Sequence, residues 1–228
     1  MLFLWIGATL AGAGASALLG RRWGAVAPTT IFVSLVLIAN VTAGKIVDFW
    51  GRPVPAAVII YATTFLVTDI ITEVWGKNEA RKAVWLGFYA NLVLVLYIFI
   101  VLHWQPMPFA QEYAQQFGQV FGLVPRVVLA SMVAYLLSQH HDVWAFHWLR
   151  EKTGGKHLWL RNNASTLVSQ AIDTLLFITI AFWGVFPVDQ VGQLIIGQYI
   201  AKVVIALLDT PFCYIFCRLA KSSPGDGR

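Results

Sequence analysis

The sequence is poor in charge. Asp, Glu, Lys and Arg make up only 12% of its 228 residues, about half the roughly 25% of an ordinary soluble domain. Apolar residues make up 58%, against the roughly 45–50% usual in soluble domains. That pairing excludes an ordinary soluble globule. It also excludes a disordered chain, which needs low hydrophobicity and high charge. Cysteine is scarce too: Cys213 and Cys217 lie four apart in one apolar run and make no disulfide framework. The sequence has no phosphate-binding loop, nucleophile elbow or paired-cysteine motif, so nothing argues for an enzyme or a cofactor. There are 16 basic residues against 11 acidic ones, a net charge of +5. The basic residues sit in short groups between apolar runs rather than in one soluble module, which argues against direct nucleic-acid binding.

What the chain does have is long apolar runs. Seven reach spanning length or near it: Leu2–Leu19, Pro28–Asp48, Val54–Val74, Val84–His103, Val124–Leu149, Ala164–Phe186 and Leu194–Cys217. A helix needs about 20 such residues to cross a hydrocarbon core about 30 Å thick. Lipid offers no partner to free backbone groups, so each run is expected to be helical. The alternation of a membrane β-strand is absent. The fold class is therefore an all-α polytopic membrane protein of six or seven spans. Residues 1–221 form one transmembrane domain, and 222–228 a flexible cytoplasmic tail. No charge precedes the first run, and Arg21 and Arg22 follow it, which suits a retained helix rather than a signal peptide.

The loops carry their charge unevenly. Twelve basic residues (Arg21, Arg22, Lys77, Arg81, Lys82, Arg150, Lys152, Lys156, Arg161, Arg218, Lys221 and Arg228) flank one set of run ends, against Arg52 and Arg126 on the other. The positive-inside rule then puts the N-terminus outside and the C-terminus in the cytoplasm. Trp5, Trp50, Trp75, Trp85, Trp104, Trp148 and Trp183 lie near run ends, as an interfacial aromatic belt requires. The longest connection, Trp104–Leu123, reads equally as a binding loop or as a connector holding one short interfacial helix.

Several motifs fail on inspection. Gly12–Ala17 mimics a dinucleotide fingerprint but lies inside an apolar helix. Ala8, Gly12, Ser16 and Gly20 repeat every four residues, a small-residue packing face for another helix of this chain or of a second copy. A homodimer is compatible with it. His140 and His147 share a helix face but stand about 10.5 Å apart along the axis, too far for one metal ion. His141 and Asp142 diverge by about 100°. Asn162 and Asn163 are placed to cap the sixth helix.

Charged side chains inside a span are expensive, about 2.5–3.5 kcal/mol each on insertion scales. This sequence keeps several: Lys45 and Asp48, Asp69 and Glu73, Asp142, Asp173, Lys202 and Asp209. Asn40, Asn91, Gln139, Gln170 and Gln198 add amides. Asp69 and Asp142 each lie about 7–8 Å inward of their run centres, and Asp173 and Asp209 lie slightly inward of theirs. Gln139 shares a face with Asp142, and Gln170 with Asp173. A carboxylate beside an amide suits a guanine-like edge of adjacent N–H donors and a carbonyl acceptor. Helix-to-helix pairing, such as Lys202 with Asp209 or Asp173, is the structural alternative for any single residue.

The segment Thr68-Asp69-Ile70-Ile71-Thr72-Glu73-Val74-Trp75-Gly76, followed by Glu79-Ala80-Arg81-Lys82, resembles the signature of the queuosine precursor transporters in the vitamin uptake transporter group. So do Ser138-Gln139 with Asp142-Val143 and Phe146, Asn163-Ala164-Ser165-Thr166-Leu167 with Asp173-Thr174, and Lys202-Val203 with Pro211. The likeness runs from about Ile31 to Phe216. It implies a six-helix core, with the first run as an additional N-terminal span. It implies import of free 7-deazaguanine bases through the bacterial inner membrane for tRNA modification, with the small base and the lipid bilayer as partners. The alternative is an importer or binding subunit for another small heterocyclic vitamin or nucleobase. Asp69, Glu73, Gln139, Asp142, Asn163, Gln170, Asp173 and Lys202 coincide with family-motif positions and are the expected substrate-binding residues. In that reading Asp173 or Asp142 accepts the N–H edge, Gln170 and Asn163 contact the carbonyl, and Lys202 balances the carboxylates.

Overall fold

A computed structural model describes residues 2–152 and 158–221. The chain runs α1 (Leu2–Trp23), α2 (Val26–Thr42), β1 (Ile46–Phe49), β2 (Arg52–Pro55), α3 (Ala57–Trp75) and α4 (Lys77–His103). A 3-10 turn at Pro108–Ala110 leads into α5 (Gln111–Phe121), then α6 (Val124–Lys152), α7 (Leu158–Phe182) and α8 (Val188–Lys221). Among the described residues, Ala57–Trp75, Lys77–His103 and the stretch Pro108–Ser138 are long and apolar enough to cross a membrane. Val26–Thr42 and Leu167–Phe182 are shorter apolar helices. The expected tail, 222–228, lies outside the described residues.

Helix α4 shows what kind of solvent surrounds the fold. Its buried positions are Ala83, Gly87, Asn91 and Ile98, mostly small or polar. Its exposed positions include Leu86, Leu92, Val93, Leu96, Tyr97, Phe99 and Ile100. A surface helix of a soluble protein has the opposite polarity. Small residues inside and large apolar ones outside are the pattern of helices packed in lipid, where close backbone approach drives association. Gly87 illustrates it: a Cβ there would sit 3.0 Å from the Phe32 ring of α2.

The second and third runs differ from expectation. Helix α2 ends at Thr42 rather than Asp48, and α3 starts at Ala57 rather than Val54. Between them lies an antiparallel hairpin pairing Ile46 with Pro55 and Phe49 with Arg52. Its two-residue loop is Trp50 (φ 53°) and Gly51 (φ 78°). Left-handed backbone at both positions matches the natural twist of the two strands. Pro53 and Pro55 bring no N–H with which to continue a helix. Lys45 and Asp48, expected inside a span, therefore lie beside or in this hairpin and are exposed.

Other boundaries move less. Gly76, at φ 91°, joins α3 to α4 and donates its N–H to the Thr72 carbonyl at 3.0 Å. That backbone conformation is readily open only to glycine. Asn162 and Asn163 do not cap the sixth span: α7 begins earlier, at Leu158, and both lie within it. The connector after Trp104 does contain a short helix, α5, none of whose residues is buried.

The small-residue face of α1 is used partly within the chain. Ala13, Ser16 and Ala17 are fully buried. A Cβ on Gly20 would fall 2.5 Å from the Trp75 ring at the end of α3. Arg21 donates from Nε to the Leu219 carbonyl of α8 at 2.5 Å, a cation at a helix C-terminus. Ala8 is exposed, and a Cβ on Gly12 would meet nothing within 4 Å.

Two larger apolar layers join the helices. Near the hairpin, Ala39, Ala43, Ala57, Ala130, Ile178, Phe182 and Leu194 pack together. Toward the opposite end, Ala13, Phe32, Leu66, Ile70, Ile71, Ala83 and Cys217 do. The candidate site borders the first layer.

Candidate functional site

The ion pair at this site joins two helices. Lys202 of α8 reaches Asp173 of α7, with Nζ donating to Oδ2. The side chains are only 9% and 15% exposed. Ser138 of α6 donates from Oγ to the other carboxylate oxygen at 3.5 Å. The Lys202 ammonium also stands 6.0 Å from the centre of the Tyr61 ring, at the edge of cation–π range. Asp173 lies nine residues before Phe182, the end of α7. That is about 14 Å along the axis, near the middle of a hydrocarbon core about 30 Å thick.

The pair faces a narrow recess with a cavity volume of about 30 Å³, within about 410 Å³ of non-atom space that includes open solvent. Ala39, Asn40 and Ala43 of α2 form one wall, and Pro55 of the hairpin closes one side. Ala57, Val58 and Tyr61 of α3, Ser131 of α6, Asp173 and Phe177 of α7, and Gln198 and Lys202 of α8 complete the lining. Helical spacing explains the recruitment. Gln198 and Lys202 are four apart, as are Asp173 and Phe177, so each pair shares a face.

Asn40 is held by its neighbours. It donates from Nδ2 to Asn91 Oδ1 at 2.8 Å and accepts from Ser131 Oγ at 2.9 Å. Asn91 donates to the Gly87 carbonyl at 2.9 Å. This network ties α2, α4 and α6 together beside the recess. Arg126 fastens α6 to the end of α7, donating to the carbonyls of Ile180 and Trp183, each at 2.6 Å. Those carbonyls belong to the set a helix C-terminus leaves unsatisfied. The hairpin is pressed against α8 at Gly197, where a Cβ would fall 2.4 Å from the Pro53 carbonyl oxygen.

Of the residues expected from the sequence, Asp173 and Lys202 come together on the recess wall. Gln170, half-buried, lies one turn from Asp173 on α7 and off the lining. Asp69 and Glu73 share a face of α3, are exposed, and do not line the recess. The side chains of Gln139, Asp142 and Asn163 lie outside the described residues, as does that of Asp209. Lys202 therefore takes Asp173 as its partner, one of the two the sequence offered. Tyr61, Ser131, Phe177 and Gln198 line the recess without having been singled out as binding residues. The i, i+4 spacing of Gln198 and Lys202 was the available signal.

The lipid-facing outer surface and the buried charges define a multi-pass α-helical membrane protein. Residues 55–216 match the family described as "Putative vitamin uptake transporter". The chain is 36% identical over 191 residues to the "Probable queuosine precursor transporter" of Bacillus subtilis, covering 83% of this chain and 82% of that one. It is 31% identical over 150 residues to the "Queuosine precursor transporter" of Escherichia coli, and 30% over 162 residues to the "Probable queuosine precursor transporter" of Haemophilus influenzae. These two alignments each span 63% of the relative's length. No solved structure matches. The chain belongs to the queuosine precursor transporter family, within the vitamin uptake transporter group.

Proposed function

We propose that this protein imports free 7-deazaguanine bases, the precursors of queuosine, through the bacterial cytoplasmic membrane for salvage into tRNA. The observation that carries the proposal is the buried Asp173–Lys202 pair facing a recess between helices. A purine-like base offers N–H donors beside a carbonyl acceptor. Asp173 can accept from the donors and Lys202 can donate to the carbonyl. Tyr61 and Phe177 supply aromatic surface for a flat ring. The relatives' names supply the chemical class of the solute.

In the membrane, the charge bias supports an N-terminus outside and a C-terminus in the cytoplasm. The hairpin end then faces outward. Helices α1, α2, α3, α4, α6, α7 and α8 are the seven proposed spans, six of them forming the core and α1 being the addition. The upper part of α1 around Gly12, open beyond 4 Å, is where a second copy would pack in a homodimer. Asp69, Glu73, Gln139, Asp142, Asn163 and Gln170 remain proposed substrate contacts, reached in a conformation with a different opening.

The test uses a bacterial strain that can neither make nor import deazaguanine precursors. The chain is expressed there, nanomolar 7-cyano-7-deazaguanine is supplied, and queuosine in tRNA is measured. Queuosine that depends on the intact chain is the expected result. Its absence, with the protein present in the membrane, removes this substrate. Competition by labelled vitamins and nucleobases then identifies the heterocycle carried instead.

A further inference from the structure

Gln198 stands apart from the other buried amides of this fold. It is 4% exposed and lines the recess. Its side chain makes no hydrogen bond to any described residue. Asn40 and Asn91, equally buried, are bonded to each other and to their neighbours. Among the described residues Thr174 Oγ1 is the one side-chain polar atom shut away from water without a partner, so the Gln198 amide, unbonded to protein, is still reached by solvent. Its remaining outlook is the recess.

The backbone around Gln198 is well anchored. The preceding residue, Gly197, lets the Pro53 carbonyl come so close that a Cβ would fall 2.4 Å from it. One turn further along α8, Lys202 is held by Asp173. A primary amide presents a donor and an acceptor side by side. That is the complement of a ring edge carrying N–H beside C=O, the same bidentate logic by which Gln reads a base edge in DNA.

We propose that Gln198 is a specificity-determining residue of the recess, reading the lactam edge of a planar nitrogen heterocycle through paired hydrogen bonds. The proposal rests on the import function above and assigns that site a residue and a chemical edge. Asp173 takes the other N–H donors of the ligand, Lys202 shares the carbonyl oxygen through its second lone pair, and Tyr61 and Phe177 contact its faces.

The test compares wild type with Gln198→Leu and Gln198→Met, which keep similar volume and remove the amide. Uptake of 7-cyano-7-deazaguanine is measured against an analogue in which the ring carbonyl is replaced by hydrogen. Melting temperature is recorded for the purified protein in detergent. Wild type should favour the carbonyl-bearing base. In the variants KM for that base should rise on the order of tenfold to a hundredfold, the preference should collapse, and the melting temperature should hold or rise. Unchanged KM and preference in either folded variant overturns the assignment while leaving the import function intact. Loss of folding in both variants makes the amide structural and also overturns it. A wild type that imports neither base overturns the import function and this assignment together.

Discussion

At the residue scale the fold depends on polar groups that lipid cannot satisfy. Removing one partner of a buried ion pair costs about 3–5 kcal/mol, because the other charge is left unpaired. Asp173→Asn should therefore lower stability by about that amount and abolish uptake. Adding Lys202→Met should recover most of the stability and none of the transport, as read by melting in detergent and by base uptake in cells. Transport by the double variant would remove the pair from the site. Asn91→Ala should cost about 1–3 kcal/mol, since it strips Asn40 of its buried acceptor. A melting temperature equal to wild type would show that water replaces Asn91. The charges themselves were legible in the sequence, because ionisable residues in apolar runs announce themselves. Their partner was not: Asp173 and Lys202 are 29 residues apart, and nothing local chooses Asp173 over Asp209.

At the scale of elements, the hairpin is the departure from a pure helical bundle. Its antiparallel pairing places Pro55 against the recess and Pro53 against α8. Gly197→Ala should push the hairpin away from α8, because the obstructing atom is a backbone oxygen and not a flexible side-chain tip. Overpacking of this kind costs about 1–3 kcal/mol. Both a lower melting temperature and a higher KM for the base are expected. Wild-type values for both would mean that the hairpin shifts freely and does not shape the recess. The hairpin escaped the sequence reading because each strand is only four residues long and most of their apolar residues continue the runs on either side. Trp50-Gly51 between Pro53 and Gly44 was the available turn signal, outweighed by run length. The capping role expected of Asn162 and Asn163 failed for a related reason: helix α7 takes in Leu158, Trp159 and Leu160 ahead of them.

At the scale of the whole molecule, the proposed orientation puts the hairpin end outside. Arg52→Cys in the hairpin should react with an impermeant maleimide in intact cells whose outer barrier has been removed. Asn78→Cys, at the start of α4, should react only after the membrane is opened. The reverse pattern would invert the topology and turn the hairpin to the cytoplasm. Membership of a lipid-embedded helical class was determined by sequence alone, because burying backbone in hydrocarbon leaves few solutions and composition reports the solvent. So were the family and the set of residues too polar for their surroundings. Tertiary structure decided which of those residues meet. It paired Lys202 with Asp173, tied Asn40 to Asn91 and Ser131, left Gln198 facing the recess, and left Asp69 and Glu73 off its wall. The reason is physical: helix periodicity sets the face a residue occupies along its own helix. Which helix that face meets depends on close approach at Gly20, Gly87 and Gly197, and those contacts exist only once the helices have packed.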